Sequence, residues 1–407
     1  MSGEQPLGLG KSPLMLSDFS IVTSLGAGRE QTMAALREGR SGLVRCGFDA
    51  IPFKTYAGEI AGLDEDSLPD ELAGFDCRNN RLAALALRQD GFLDTIAAAR
   101  ARYGAQRIGV FAGTSTSGIL QTERAYRQRD PLSGKLPAGF DYARTHNTYS
   151  LARFVRDMLG LCGPAFTVST ACAATSKVFA NAARMIATGI CDAAVIGGAD
   201  TLCATTLFGF HALDVMADEP CRPFDPGRRG ISLGEAAGFV LLERAGERLD
   251  AETVLLLGTG ESSDAYHMSS PHPEGVGARL AMERALGDAG LEAGEIDYIN
   301  LHGTATLVGD AAEDCAVAGL FGTGVPCSST KGFTGHTLGA SGVAEAIICA
   351  LAIRHGFVPG SPHTRGVDPA FRSRYVLSGH DARINRVVSN SFGFGGVNCS
   401  LVLGRAT

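Results

Sequence analysis

The sequence predicts an α/β fold, and three observations carry that prediction. Short apolar runs ending in glycine or a polar residue alternate with helical stretches along the whole chain, as strands followed by packing helices do. No low-complexity linker divides the 407 residues, which suffice for one large or two average domains with a substantial core. Glycine is abundant, at 53 residues, and tryptophan is absent, so tight turns and close backbone approaches are expected in place of bulky aromatic packing.

Taken in order, "RIGVFAG" (107–113) reads as a strand, and "PAFTVS" before residue 170 is strand-like. Residues 172–188 form a run of good helix formers, followed by strands over 192–200, 238–243 and 253–258. A helix over 276–289, a strand over 297–303 and a helix over 310–320 come next. The helix over 341–355, "SGVAEAIICALAIRH", has a small-residue start and a closing Gly356, and strands over 386–391 and 399–404 end the chain. Each half runs strand, small or polar residue, alanine-rich helix, which hints at an internal duplication with a division near residue 250, into 1–250 and 251–407.

Composition narrows the function. Hydrophobic residues make up 45% and charged residues 19%, ordinary for a globular enzyme and wrong for a disordered chain. A net charge of −7 argues against general nucleic-acid binding. The eleven cysteines are scattered with no C-x-x-C pair, so neither a disulfide framework nor a structural zinc site is expected, and a reducing, cytoplasmic setting fits. The opening residues lack the charged start and apolar stretch of a signal peptide, and no run is expected to reach the roughly 18 apolar residues of a membrane span.

Four stretches can carry chemistry. Cys172 in "TAC" follows the strand-like "PAFTVS" and opens a helix, where N–H groups and the dipole favour a thiolate, although cysteine is also a common buried filler. His302 in "LHGTAT" stands at a strand-to-loop junction, well placed to face a cleft or simply satisfied in the structure. Lys331 and His336 share the glycine-rich "STKGFTGHTLG", with Glu345 on the helix beyond within reach of the lysine; the order G-x-x-x-x-G-K-[ST] of a phosphate-binding loop is absent. In "SNSFGFGGVN", Gly393, Gly395 and Gly396 surround Phe394, as a mobile segment with one bulky side chain or a tight turn between strands.

Together these stretches closely resemble the elongating β-ketoacyl-acyl-carrier-protein synthases, condensing enzymes of fatty-acid and polyketide assembly. The matching segments are "GTSTSG" (113–118), "TACAA" (170–174), "RPFDPGRRGISLGEAAGFVLLE" (222–243), "HGTAT" (302–306), "KGFTGH" (331–336) and "NSFGFGGVN" (390–398). The resemblance implies a thiolase-like, duplicated five-layered α-β-α-β-α fold, usually dimeric. It implies Cys172 as nucleophile, His302 and His336 as the paired histidines, and Lys331 with Glu345 as their charged support. Phe394 matches the gating residue, whose N–H joins that of Cys172 in an oxyanion hole. Thr304, Thr306, Gly393 and Gly395 match substrate-contacting positions. The implied partner is an acyl carrier protein bearing phosphopantetheine, with no metal or resident cofactor, no nucleic acid and no membrane. The second subunit is a copy of the chain, a related ketosynthase or a chain-length factor.

The chain also departs from the family pattern. "LSDFSIVTSLG" (16–26) stands where a glycine-rich opening strand and turn is usual. Arg229 replaces a common acidic residue and forms with Arg222 and Arg228 a basic cluster that is a candidate dock for an acidic carrier protein, or a solvated loop. Thr116 occupies a position beside the acyl pocket that varies between bulky aliphatic residues and glycine, so a pocket for long or unsaturated chains is expected. A degradative thiolase would need a second catalytic cysteine near the C-terminus, and Cys399 lacks that context. An initiating condensing enzyme uses Cys-His-Asn. A non-catalytic chain-length factor usually lacks the nucleophile that this chain keeps.

Overall fold

The computed structural model describes residues 13–48, 51–246 and 249–406. Residues 1–12, on which the reading of the N-terminus partly rests, lie outside them.

The first half contains β1 (Leu14–Thr23), β2 (Ile108–Gly113), β3 (Ala165–Val168), β4 (Ala193–Asp200) and β5 (Ala236–Arg244). The second contains β6 (Val254–Ser263), β7 (Tyr298–Asn300), β8 (Pro326–Ser328), β9 (Arg386–Gly393) and β10 (Val397–Arg405). Their spatial orders are β3-β2-β4-β5-β1 and β8-β7-β9-β10-β6. Both halves therefore follow one order in their own chain sequence, third-second-fourth-fifth-first. The pairings also agree: the second strand is parallel to the third and fourth, and the remaining contacts are antiparallel. The duplication hinted at by the sequence is thus present in topology. The two sheets meet edge to edge where Leu14 and Met15 of β1 pair with Leu256 and Leu255 of β6. The stretch "LSDFSIVT" that departs from the family pattern still forms a strand, paired with β5 along its length and with its apolar residues buried.

Helices α1 (Arg78–Leu87) and α2 (Tyr149–Met158) cover the outer face of the first sheet. Helices α3 (Ala174–Ala187) and α6 (Ser341–His355) lie between the sheets, while α4 (Val276–Ala289) and α5 (Leu307–Phe321) cover the second sheet. These are the five layers. Every residue of α6 from Ser341 to Ile353 is buried, as a helix apolar on all sides must be. That helix corrects one expectation: Leu338–His355 is 18 residues long and apolar enough by composition to cross a membrane. It is 89% buried inside the protein, serving as the centre of the core.

The parallel strands point their C-terminal ends to one place. Ser115 and Thr116 follow β2, Cys172 follows β3, and Asp200 ends β4. In the second half His302 follows β7, Lys331 follows β8 and Phe394 follows β9. Such strand ends are where open α/β sheets put their ligands.

Candidate active site

Cys172 sits in a single 3-10 turn, Ala171–Ala173, that leads directly into α3. Ala171 holds a left-handed backbone (φ 47°), uncommon for a residue with a Cβ, and this bend brings the thiol to the helix start. The Cys172 Sγ lies 3.0 Å from His336 Nε2. Burial pushes the thiol up to about 11, while Lys331 and the N–H groups of Phe394 and Cys172, both aimed at the sulfur, pull it down. This revises the expectation of a resting thiolate: burial outweighs the donors at the helix N-terminus.

His302 is fixed through its backbone. Glu313, on α5, accepts from the N–H of His302 (2.8 Å) and of Gly303 (2.7 Å). Asp310, one turn earlier, accepts from Ala305 N–H at 3.0 Å and Phe224 N–H at 2.8 Å. Burial raises these carboxyls to about 7 and about 6 respectively. The side chain of His302 presents Nδ1 to Lys331 Nζ at 3.4 Å, and that ammonium is 2.5 Å from Glu345 Oε1. Lys331 and Glu345 are both buried.

His336 is set by the other half of the molecule. Its N–H donates to Ser232 O (2.7 Å), and its carbonyl accepts from Gly234 N–H (3.0 Å). The preceding Gly335 has φ 75°, and a Cβ there would lie 2.5 Å from Leu233 O, so only glycine permits this approach. The His336 Nδ1 is 2.9 Å from Ser341 Oγ. The rings of His302 and His336 stand at 87°, with centroids 5.4 Å apart. Burial, with Lys331 adding to it, holds both imidazoles well below 6.5, so both are neutral at neutral pH.

The three reactive groups and Phe394 open onto a cavity of about 650 Å³, whose walls include Thr304, Thr306, Gly393 and Arg229. The Phe394 ring lies 5.7 Å from that of Phe210. Gly393 packs against the cysteine turn, and Gly395 is exposed with φ 82°. Thr306 also caps α5, accepting from Gly309 N–H at 3.2 Å. The sulfur and the two imidazoles offer ligand atoms within 4.8 Å of one another. Lys331, however, can only donate to His302 Nδ1, which leaves a hydrogen on the Nε2 facing the site. That donor set favours hydrogen bonding to an oxygen over coordinating a metal.

Several sequence readings change here. Arg228 is not a docking residue: it is 6% exposed, bonded to Asp368 at 2.7 Å and to the carbonyls of Thr306 and Leu307. Its fixed fork of donors pins the loop below the cavity. Arg222 is mostly covered and donates to Gly227 O, so only Arg229 of the basic cluster is exposed, at the cavity rim. Thr116 does not line this cavity. Its hydroxyl and N–H both donate to the buried Asp200 carboxylate, at 2.6 and 2.7 Å. Sequence reasoning missed Asp200, Asp310, Glu313 and Ser341. In "GDAAED", the first two of the three acids, three apart on α5, were the available signal for Asp310 and Glu313.

Comparison with known proteins agrees with this geometry. The β-ketoacyl synthase N-terminal domain model matches residues 18–248, and the C-terminal domain model matches 254–365. The 3-oxoacyl-[acyl-carrier-protein] synthase 2 of Vibrio harveyi is 35% identical, covering 97% of this chain and 99% of the relative. A chain of a solved complex between a ketosynthase and its chain length factor from Xenorhabdus doucetiae is 37% identical over 100% of both chains with a TM-score of 0.88. The ishigamide ketosynthase/chain length factor is 30% identical over 98% of this chain and 100% of the solved one, with a TM-score of 0.87. With its cysteine and two histidines meeting at the strand ends of a duplicated fold, this chain belongs to the β-ketoacyl synthases, the condensing acyltransferases of the thiolase superfamily.

Proposed function

We propose that this chain extends a carrier-bound acyl group by two carbons, with Cys172 as the acyl acceptor. The observation that carries the reading is the convergence of Cys172 Sγ, two neutral imidazoles and two inward N–H groups on one cavity. Cys172 Sγ attacks the acyl thioester carbonyl. The N–H groups of Cys172 and Phe394 hold the tetrahedral oxyanion, and the carrier thiol departs with the cysteine's proton. A malonyl thioester then fills the cavity, with Thr304 and Thr306 along its pantetheine arm. It loses carbon dioxide, leaving the bond's electron pair on an enolate whose oxygen accepts from the imidazoles of His302 and His336. Losing one such donor typically costs about 3–4 kcal/mol of barrier. The carbanion attacks the acyl carbonyl on Cys172, the thiolate leaves, and the lengthened chain remains on the carrier. Decarboxylation supplies the driving force, so the reading calls for no resident cofactor.

The carrier is an acyl carrier protein, with Arg229 at the rim as one contact for its acidic surface. The working unit is a dimer. Strand β3 is the last in its sheet and half-buried along its length, an edge suited to a second subunit. The two solved ketosynthases with chain length factors favour a specialised polyene or polyketide pathway with a non-identical partner. Eleven free cysteines suit a cytoplasmic setting.

The test is intact-protein mass after incubation with a panel of acyl-carrier-protein thioesters. Wild type should gain the mass of the acyl group, Cys172→Ala should not, and the fastest-loading chains identify the pathway. No adduct with any chain, alone or with a co-purified partner, would support a silent chain-length-factor role instead.

A further inference from the structure

The hydroxyls behind His336 have no part in the reaction as described, yet they are buried and aligned on it. Ser341 Oγ lies 2.9 Å from His336 Nδ1, and Thr337 Oγ1 lies 3.2 Å from Ser341 Oγ. Thr337, Ser341 and His336 are 2%, 1% and 3% exposed, so bulk water does not compete for these groups.

Counting hydrogens settles the direction of this chain. Each hydroxyl has one hydrogen to give, and a neutral imidazole carries one hydrogen on one of its two nitrogens. If Nδ1 carried it, Nδ1 would donate to Ser341 and Ser341 to Thr337. The Thr337 hydrogen would then be left without an acceptor, since among the described residues Thr337 Oγ1 has no other hydrogen-bond partner. A buried donor left unpaired is costly. In the opposite direction Thr337 donates to Ser341 and Ser341 to Nδ1, so both hydroxyl hydrogens are used, and the one hydrogen left unpaired is that of the Cys172 thiol, a much weaker donor than a hydroxyl. The Nε2 hydrogen then points at Cys172 Sγ, 3.0 Å away, beside the two backbone N–H groups already aimed there.

We propose that Thr337 and Ser341 form a hydroxyl relay that fixes His336 as its Nε2–H tautomer, which makes them positioning residues for the imidazole that donates to the enolate oxygen. Lys331 does the same for His302 by donating to its Nδ1. The two histidines thus reach one protonation pattern by different means, a cation behind one and a pair of hydroxyls behind the other. Without the relay, His336 is free to take the Nδ1–H form, which presents a lone pair where the reaction needs a donor.

The proposal rests on the condensing reaction assigned above, and the experiment separates the two. Wild-type enzyme is given the malonyl thioester of pantetheine and carbon dioxide release is followed; no release at all would strike the reaction itself before any variant is compared. Given wild-type activity, Ser341→Ala should release carbon dioxide about tenfold more slowly, while Cys172 acyl loading by intact mass stays within about twofold. Ser341→Thr, which restores the hydroxyl, should recover most of the rate. Thr337→Val, nearly isosteric, should lose about two- to fivefold. Equal losses in loading and release, a Ser341→Ala rate within twofold of wild type, or a Ser341→Thr variant as slow as Ser341→Ala would each overturn the relay. If Ser341→Ala does not fold, Thr337→Val decides alone, and an unchanged release rate overturns the proposal.

Discussion

Cys172 rests as a thiol, and the two histidines rest neutral, for the same reason. Burial disfavours whichever form is charged, raising the cysteine to about 11 and holding both imidazoles well below 6.5, with Lys331 reinforcing the shift in the histidines. The two half-reactions therefore have different pH dependences. Thiolate becomes about tenfold more abundant with each pH unit below a pKa of 11, so acyl loading should climb between pH 7 and 9. The imidazoles take up a proton only well below 6.5, so carbon dioxide release should stay level as pH falls from 7.5 to 6. Separate pH profiles of loading and release check this. A release rate that halves near pH 6.5, or a level loading rate, would contradict it.

At the scale of elements, the site depends on how closely β9 approaches the turn before α3. A Cβ on Gly393 would lie 3.2 Å from Thr170 O and 3.3 Å from the backbone nitrogens of Cys172 and Ala173. Those contacts are tight but not impossible, and Gly393 has an ordinary φ of −99°. Gly393→Ala should therefore fold with a stability loss of about 1 kcal/mol. It should slow acyl loading about ten- to a hundredfold, by moving Phe394 N–H off the developing oxyanion. Thermal unfolding and loading kinetics measured together test it: unchanged loading would remove Phe394 N–H from the oxyanion hole. The loop after β2 is held differently. Asp200 accepts from Thr114, Ser115 and Thr116 on one side and from Ala340 N–H, at 2.9 Å, on the other. That carboxylate joins the first half's loop to the segment following His336, which explains why Thr116 is committed to Asp200 and absent from the cavity wall.

At the scale of the whole molecule, neither half can close its core alone. The central layer pairs α3 from one half with α6 from the other, and α6 packs on strands of both sheets. The sheets share the β1–β6 edge, and His336 is held by Ser232 and Gly234 across the division. Equilibrium unfolding of the full chain in denaturant should thus be one transition, coincident by far-UV circular dichroism and by tyrosine fluorescence. Two separated transitions would mean that the halves are independent units.

Much of this was legible in the chain. The strands over 107–113, 192–200 and 386–391 and the helix over 341–355 are long apolar or alanine-rich runs with clear punctuation, and each formed within a few residues of its expected place. The helices Arg78–Leu87 and Tyr149–Met158 escaped, because their apolar faces are interrupted by polar residues, among them Arg78, which meets Glu235, and Asn80, which meets Phe75 O, only in the fold. The sequence by itself determined which residue types could react: a cysteine at a helix start, one histidine at a strand end and another in a glycine-rich loop, and a lysine with a glutamate a helical reach away. Only the tertiary structure decided how they act. Burial set the protonation of Cys172, His302 and His336, and it turned Arg228 from a surface charge into a pin. It also brought Ser341 behind His336 and Asp200 between the halves. Spacing along a chain reports what can meet, whereas the loss of water around those groups, which sets their charge and their hydrogen bonds, exists only once both sheets have closed over them.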